Sequence, residues 1–166
     1  LDYIYSHLLD NFKISQNEES FILSKGHSAV AQYTILNYLK IISKKDLFSY
    51  CKKDGYLGCH PDIGNPGIEA STGSLGHGLA LSLGMAQALK IKKINNKKIY
   101  VLISDGELQE GSTWESLMMA GNLSLENLIL FIDHNGSQSF GVTRETHPNF
   151  YPIKQKLSSF GWDTRQ

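Results

Sequence analysis

The amino-acid sequence predicts an α/β domain with a mainly parallel sheet and helices on both faces. A continuously apolar run, 99–103, has the β-branched and aromatic composition of a strand covered on both sides, and 127–133 is predicted to be a second buried strand. The segment 112–123 between them has the apolar spacing of a helix. A strand, a helix and a second strand in this order form a βαβ unit, which implies parallel pairing and a right-handed crossover.

The size of the chain fits one domain. It has 166 residues, of which 41% are hydrophobic, and this is enough to bury a core. We therefore expect a single domain over residues 1–166. The sequence starts at Leu1 without an initiator Met and stops abruptly at Gln166, so we expect this domain to be incomplete at both ends.

The charge balance argues against two classes of partner. Sixteen basic residues match sixteen acidic ones, whereas a nucleic-acid surface or a polybasic membrane anchor needs a basic excess. No apolar run reaches the roughly 18 to 20 residues of a membrane helix, and no signal peptide is visible. We expect a cytoplasmic protein that binds neither nucleic acid nor membranes.

The two cysteines resemble neither a secreted disulfide framework nor a zinc site. Cys51 and Cys59 leave one disulfide as an open alternative, but reduced thiols are the default in the cytoplasm. Together with His60 they fit no zinc spacing, and a fourth ligand is missing.

The N-terminal part of the chain contains four predicted elements. Apolar spacing predicts a helix over 1–12, a short strand over 20–24 and a buried helix over 29–42. Ser43 is a suitable N-cap for a further helix over 44–51.

A long segment rich in glycine and proline, 54–78, cannot be regular structure throughout. A loop of this length inside a compact domain is usually functional or disordered. The interleaved apolar residues Ile63, Ile68 and Leu75 favour an ordered loop, and a helix over 75–91 is predicted to follow it.

Polar residues follow both buried strands of the βαβ unit. Ser104, Asp105 and Gly106 follow the first strand, and Asn135 closes the second. Ligands of open parallel sheets bind beyond the carboxyl ends of the strands, so Asp105 and Asn135 are predicted to be neighbours. A carboxylate and an amide oxygen suit a hard cation such as Mg²⁺, and Gly106 permits close backbone approach. Alone, Asp105 could equally cap the next helix.

A second feature predicts a phosphate site. The run Ser71-Thr72-Gly73-Ser74-Leu75-Gly76 opens a helix with small residues, and free N–H groups at a helix start attract phosphate. No Gly-Lys-Ser/Thr follows, and no GxGxxG follows a strand, so neither a Walker loop nor a nicotinamide site is predicted.

Two loop histidines complete the predicted site. His27 follows Gly26, and His60 precedes Pro61. A histidine in such a loop is often a catalytic or binding group, and this is the favoured interpretation; the alternatives are a packed loop residue for His27 and a turn residue for His60.

Five stretches together resemble the transketolase family. They are 23–27 (LSKGH), 60–61 (HP), 67–76 (GIEASTGSLG), 105–111 (DGELQEG) and 133–135 (DHN). They occur in the family's order and near its spacings, from about residue 20 to the end. Any one of them is a weak signal, but five in register are highly specific.

The resemblance implies a cofactor and a reaction. Members of the family use thiamine diphosphate with Mg²⁺, or Ca²⁺ or Mn²⁺ in its place, to transfer a two-carbon ketol unit between sugar phosphates. By resemblance, Asp105, Asn135 and Ser137 are the metal ligands, Ser137 through its backbone carbonyl. His27 and His60 correspond to catalytic histidines near the diphosphate, the thiazolium ring and the substrate.

The resemblance also assigns residues that contact the cofactor or lie at a subunit interface. Those around the diphosphate are Gly73, Ser74, Leu75, Ser104 and Gly106. Glu110 and Glu115 match acidic residues that link two cofactor sites across the subunit interface. A helix-start pair in solvent is the plainer explanation for these two glutamates.

This sequence departs from the family pattern in several places. Ser104 stands where glycine is usual, so cofactor affinity suffers if the backbone there requires glycine; His77 replaces a common Gln, a neutral change. An earlier histidine, a later histidine and the pyrimidine-binding domain with its base-activating glutamate are absent. We therefore expect a pyrimidine-binding subunit or domain as partner, in a homodimer or an α2β2 assembly.

Three alternatives remain open at this point. Two are enzymes that share the Asp-Gly…Asn element: 1-deoxyxylulose-5-phosphate synthase and the α subunit of a 2-oxo-acid dehydrogenase. The third is a non-catalytic, transketolase-like assembly or regulatory subunit, for which Ser104 is the one hint. His134, Trp114, Met118 and Met119 are expected to be structural or interface residues.

Overall fold

A three-stranded parallel sheet forms the centre of the protein, in a computed structural model that describes residues 1–8 and 19–165. The strands are β1 (Glu19–Leu23), β2 (Lys98–Ser104) and β3 (Leu128–Asp133), in the order β1-β2-β3. Leu23 pairs with Leu102, and Ser104 pairs with Asp133, so the carboxyl ends of all three strands lie at one edge. The predicted α/β class is confirmed.

Six α-helices and a small antiparallel hairpin accompany this sheet within the described residues. The helices are α1 (Ala29–Tyr38), α2 (Lys44–Phe48), α3 (His77–Ile91), α4 (Gly111–Asn122), α5 (Thr143–Thr146) and α6 (Ile153–Ser159). The hairpin pairs β4 (Ser137–Gln138) with β5 (Gly141–Val142). None of the helices in these ranges is both long enough and apolar enough to cross a membrane.

The alternating side chains of β2 build two cores, one on each face of the sheet. Tyr100 and Leu102 join a cluster with α1 and the loop after it. Ile99, Val101 and Ile103 join a second cluster with α3, α4 and α6. Helices therefore cover both faces, as the apolar runs predict.

Several helix boundaries differ from the predicted ones because local backbone turns set them. The predicted helix 29–42 ends at Tyr38, since Lys40 has a φ of +61° and the Ile41 N–H turns back to the Leu36 carbonyl. The predicted helix 44–51 begins at its expected Ser43 cap but ends at Phe48. The predicted helix 75–91 begins at His77, after the left-handed Gly76.

The first predicted helix can be compared only in part. A π-helical turn spans Ile4–Leu8, which agrees with a helical segment there. The rest of the predicted range, 9–12, lies outside the described residues. Ile4 and Tyr5 are buried against the core beside β1, so this turn belongs to the folded domain.

Two glycines of α3 provide a matched test of helix packing. A Cβ on Gly78 would lie 2.4 Å from the Cβ of Ser24, whereas a Cβ on Gly84 would meet nothing within 4 Å. We expect Gly78→Ala to destabilise the protein by about 1–3 kcal/mol through overpacking. Gly84→Ala should stabilise it by up to about 1 kcal/mol through helix propensity. Urea unfolding midpoints measure both changes, and shifts of the same sign would contradict this packing.

Candidate functional site

A buried carboxylate, Glu107, connects three segments at the carboxyl edge of the sheet. Its Oε1 accepts hydrogen bonds from the Ser24 hydroxyl at 2.5 Å and from the Gly76 N–H at 3.0 Å. Its Oε2 accepts from the Ser104 N–H at 3.0 Å. The side chain is fully buried, and these donors are all neutral. The ends of β1 and β2 and the start of α3 are thereby held at one point.

Asp105, directly after β2, has one satisfied and one unsatisfied oxygen. It is 1% exposed, and its Oδ2 accepts from the Gly136 N–H at 2.9 Å and from the Thr143 hydroxyl at 3.1 Å. Its Oδ1 is buried and has no hydrogen-bond partner among the described residues. A buried carboxylate oxygen without a donor calls for a cation. This atom therefore fits the metal ligand that the sequence predicts.

The other two predicted metal ligands lie in the loop that is bound to Asp105. The Asn135 side-chain oxygen accepts from the Ser137 N–H at 2.9 Å, and both residues are exposed. Gly136, between them, donates to Asp105. The structure thus brings the 135–137 loop to the Asp105 carboxylate, with oxygen atoms of the kind that Mg²⁺ prefers.

An ion pair joins the ends of β1 and β3 beside this loop. The Lys25 ammonium lies 2.5 Å from Oδ2 of Asp133, and Lys25 is buried. The Asn135 amide donates to the same Asp133 oxygen at 3.4 Å. Asp133 therefore connects the lysine after β1 with a predicted metal ligand.

The predicted phosphate segment presents free backbone donors. The N–H groups of Gly73, Ser74 and Leu75 donate to no group within the described ranges, while that of Gly76 is taken by Glu107. Gly73 has a φ of +141°, and a Cβ on it would lie 2.7 Å from the His60 ring. Only glycine fits there. Three adjacent free N–H groups form a suitable anion cradle.

Ser104 occupies an ordinary extended conformation, with φ −97° and ψ 161°. Glycine is therefore not required at this position, and the departure from the family pattern causes no backbone strain. Its hydroxyl oxygen lies 3.7 Å from the point where a Cβ on Gly106 would be. Ser104 and Gly106 thus lie side by side at the end of β2.

The His60 ring and the turn before His27 both lie close to Gly73. A Cβ on Gly26 would lie 2.7 Å from the Gly73 Cα, which places the turn before His27 against the phosphate segment. The buried Tyr33 hydroxyl donates to the His60 carbonyl at 2.8 Å, and burial raises the pKa of Tyr33 to about 12, so it stays a donor. The Cys59 thiol, one of two free thiols, lies 3.2 Å from His60 Nδ1.

The electrostatic surroundings of His27 favour its neutral form. Partial burial lowers the pKa of His27 below its ordinary 6.5, and the nearby Lys25 ammonium lowers it further. Glu107 and Asp133 act in the opposite direction but do not outweigh these effects. A neutral imidazole can donate from one nitrogen and accept at the other.

Helix α4 and the residue before it present the two remaining predicted residues to solvent. Glu110 and Glu115 are exposed, together with Met118 and Met119. Trp114 instead packs inward, with its Nε1–H donating to the Leu108 carbonyl at 2.6 Å. The exposed methionines beside exposed carboxylates are suited to an interface.

Sequence reasoning missed four residues that build this site: Glu107, Lys25, Asp133 and Thr143. The first three lie within the stretches that indicate the family, and Thr143 follows the last of them, but their roles depend on partners far away in sequence. Glu107 and Ser24, for example, are 83 positions apart.

Comparison with known proteins identifies a matching family model and similar sequences. The family model described as "Transketolase, thiamine diphosphate binding domain" matches residues 9–166. A transketolase family protein of Sinorhizobium fredii is 43% identical over 151 residues, covering 89% of this chain and 52% of that protein. One of the subunits of apulose-4-phosphate transketolase from Phocaeicola vulgatus is 39% identical, covering 87% of this chain and 51% of that protein.

A solved transketolase structure has the same fold as this chain. Transketolase from Campylobacter jejuni superposes with a TM-score of 0.82 at 30% identity, covering 87% of this chain and 24% of that one. The chain therefore spans about half the length of these two curated relatives and about a quarter of the Campylobacter transketolase.

The lowered pKa of His27 can be tested by titration. Between its folded-state midpoint and pH 6.5, the folded protein keeps His27 neutral while the unfolded chain protonates it, so His27 reduces stability as pH falls through this window. Lys25→Met removes a charge that lowers this pKa and should raise the midpoint. NMR titration of the His27 Cε1–H in the full-length protein measures it, with exposed Lys53→Met as control. An unchanged or lower midpoint would contradict the assigned cause.

The connecting role of Glu107 predicts a specific loss of stability. Glu107→Gln keeps the shape but directs an amide N–H₂ at one of the converging donors, which leaves that donor unsatisfied. We expect a cost of about 1–3 kcal/mol, measured as a lower urea midpoint. Glu126→Gln, at an exposed position, should change stability by less than about 0.5 kcal/mol. Equal midpoints for the two variants would rule out this role.

Proposed function

The chain belongs to the family of transketolase thiamine diphosphate-binding domains, and from this premise we propose that it holds the diphosphate-and-metal half of a transketolase active site. The observation that carries the proposal is the buried Oδ1 of Asp105 at the carboxyl edge of the sheet, which has no partner among the described residues. The free N–H groups of the 73–75 segment supply the matching anion cradle.

In this proposal the metal is held by oxygen atoms of Asp105, Asn135 and Ser137. The metal is Mg²⁺, with Ca²⁺ or Mn²⁺ as substitutes. Few protein ligands suffice because Mg²⁺ fills its octahedron with phosphate oxygens and water. The donors Gly73, Ser74 and Leu75 bind the diphosphate.

The residues at the rim have separate roles in the proposed reaction. When bound, thiamine diphosphate supplies the carbanion-stabilising chemistry that ketol transfer needs. Ser104 donates its hydroxyl to the diphosphate, and Gly106 leaves room for it. His27 and His60 orient and hydrogen-bond a sugar-phosphate substrate, with His27 neutral near pH 7 because its pKa is lowered.

A complete site in this proposal needs a second component. Residues 1–166 form one thiamine diphosphate-binding domain, and the pyrimidine-binding part comes from further chain or from a separate polypeptide. The exposed face of α4 with Glu115, together with Glu110 just before the helix, forms the contact in a homodimer or an α2β2 assembly. The apulose-4-phosphate transketolase relative is named as a subunit, which supports the split form.

The structural findings weigh against the alternative functions. The non-catalytic interpretation depends on Ser104, and its unstrained backbone removes that argument. The Sinorhizobium and Phocaeicola relatives carry transketolase names, which favours ketol transfer over the synthase and the 2-oxo-acid dehydrogenase. A cytoplasmic location stays a prediction.

Calorimetric titration of thiamine diphosphate tests the proposed function. The protein is the full-length chain together with its pyrimidine-binding part, with and without Mg²⁺. We expect Mg²⁺-dependent binding that Asp105→Ala weakens at least about tenfold, since a ligand carboxylate is lost. The matched control Asp54→Ala, at an exposed position, should bind like the parent. Equal binding by Asp105→Ala and the parent would refute the metal site.

A further inference from the structure

A closed ring of hydrogen bonds holds Oδ2 of Asp105, the oxygen that does have hydrogen-bond donors. The Thr143 N–H donates to the Gly136 carbonyl at 3.0 Å, and the Gly136 N–H donates to Asp105 Oδ2 at 2.9 Å. The Thr143 hydroxyl closes the ring by donating to the same Oδ2 at 3.1 Å. Thr143 is fully buried, so its hydrogen bond to Asp105 is shielded from water.

The hydrogen bonds continue outward through Tyr151 to His134. The number of protons on these groups determines which group donates in each bond. A carboxylate only accepts hydrogen bonds, so the single proton of the Thr143 hydroxyl goes to Asp105. The Tyr151 hydroxyl, 2.9 Å from Thr143 Oγ1, must then donate to it. With its own proton used, the Tyr151 oxygen accepts from His134 Nε2–H at 3.1 Å. The chain runs from His134 through Tyr151 and Thr143 to Asp105.

Ring contacts hold Tyr151 in place for this donation. The His134 ring lies with its centroid 5.3 Å from that of Tyr151, and the Arg144 guanidinium lies 4.6 Å from the centre of the same ring. A cation over an aromatic face is a favourable contact. The phenol is therefore fixed by two neighbours while its hydroxyl bonds to Thr143.

The two oxygens of Asp105 consequently differ. Both donors reach Oδ2, and Oδ1 receives none from the described residues. This favours coordination through one oxygen, which suits the strict octahedron of Mg²⁺. Partners behind a metal ligand commonly fix its orientation and affect metal affinity.

We propose that Thr143 and Tyr151, with His134 behind them, are positioning residues that orient Asp105 so that Oδ1 coordinates the metal. The proposal rests on the proposed function, because it assumes that Asp105 is a metal ligand. It assigns a role to His134, which sequence reasoning treats as structural.

Metal affinity measured without turnover tests the proposal. The probe is Mn²⁺, counted as free ion by electron paramagnetic resonance, with thiamine diphosphate and the full-length assembly. Thr143→Val should weaken binding about 10- to 100-fold, as is typical when a partner behind a ligand is lost. Thr143→Ser keeps the hydroxyl and should restore affinity. Tyr151→Phe should weaken binding less than Thr143→Val, and exposed Tyr56→Phe should leave it unchanged.

A double variant tests whether the residues act as one chain. Tyr151 acts through Thr143, so Thr143→Val with Tyr151→Phe should bind Mn²⁺ no more weakly than Thr143→Val alone. Additive losses of Mn²⁺ affinity would show that the two residues act independently and would contradict the proposal. If Thr143→Val does not fold, as judged by circular dichroism, the comparison of Tyr151→Phe with Tyr56→Phe decides the proposal.

The remaining outcomes separate this proposal from the proposed function. Thr143→Val or Tyr151→Phe could bind Mn²⁺ as tightly as the wild-type protein while Asp105→Ala binds it more weakly. That outcome overturns the positioning role but still supports the metal site. Parent-like affinity in Asp105→Ala overturns both, because Asp105 would then not be a ligand.

Discussion

The buried carboxylate of Glu107, bonded to neutral donors, is the constraint on which the rest of the site depends. Burying an ionised group is costly unless hydrogen bonds compensate it, and here both oxygens are satisfied by Ser24, Gly76 and Ser104. Moving any of these segments would remove a donor from a buried charge. The arrangement of segments at the carboxyl edge is therefore built by the chain itself, and a ligand does not have to assemble it.

Two carboxylates two positions apart serve opposite purposes in this arrangement. Glu107 has its hydrogen-bonding capacity used by the fold, whereas Asp105 has one oxygen held by Gly136 and Thr143 and the other without a donor among the described residues. The difference arises from the tight turn after β2, which directs the two side chains to different neighbours. A carboxylate whose oxygens all accept hydrogen bonds stabilises the fold, whereas a carboxylate oxygen without a donor is available to bind a ligand.

Sequence reasoning recovered what local pattern and strand order determine. Buried apolar runs located β2 and β3, and parallel pairing brought Asp105 near the 135–137 loop. Helix ends were harder, because the end of α1 depends on the left-handed Lys40, which no local pattern indicates. The role of Glu107 was missed for a related reason, since its donors lie as far as 83 positions away. The short β4–β5 hairpin carries too few residues for a periodic signal.

In the proposed function, the charges of the site make the binding of the metal and the binding of the diphosphate interdependent. Asp105, Glu107 and Asp133 are acidic, while the neighbouring Lys25 is already paired with Asp133. An anion entering alone would meet net negative charge, and the free N–H groups of 73–75 contribute dipoles rather than a full charge. In the proposed function, a divalent cation at Asp105 Oδ1 neutralises this negative charge, so that the diphosphate no longer meets repulsion. Binding of the metal and binding of the diphosphate are therefore expected to favour each other.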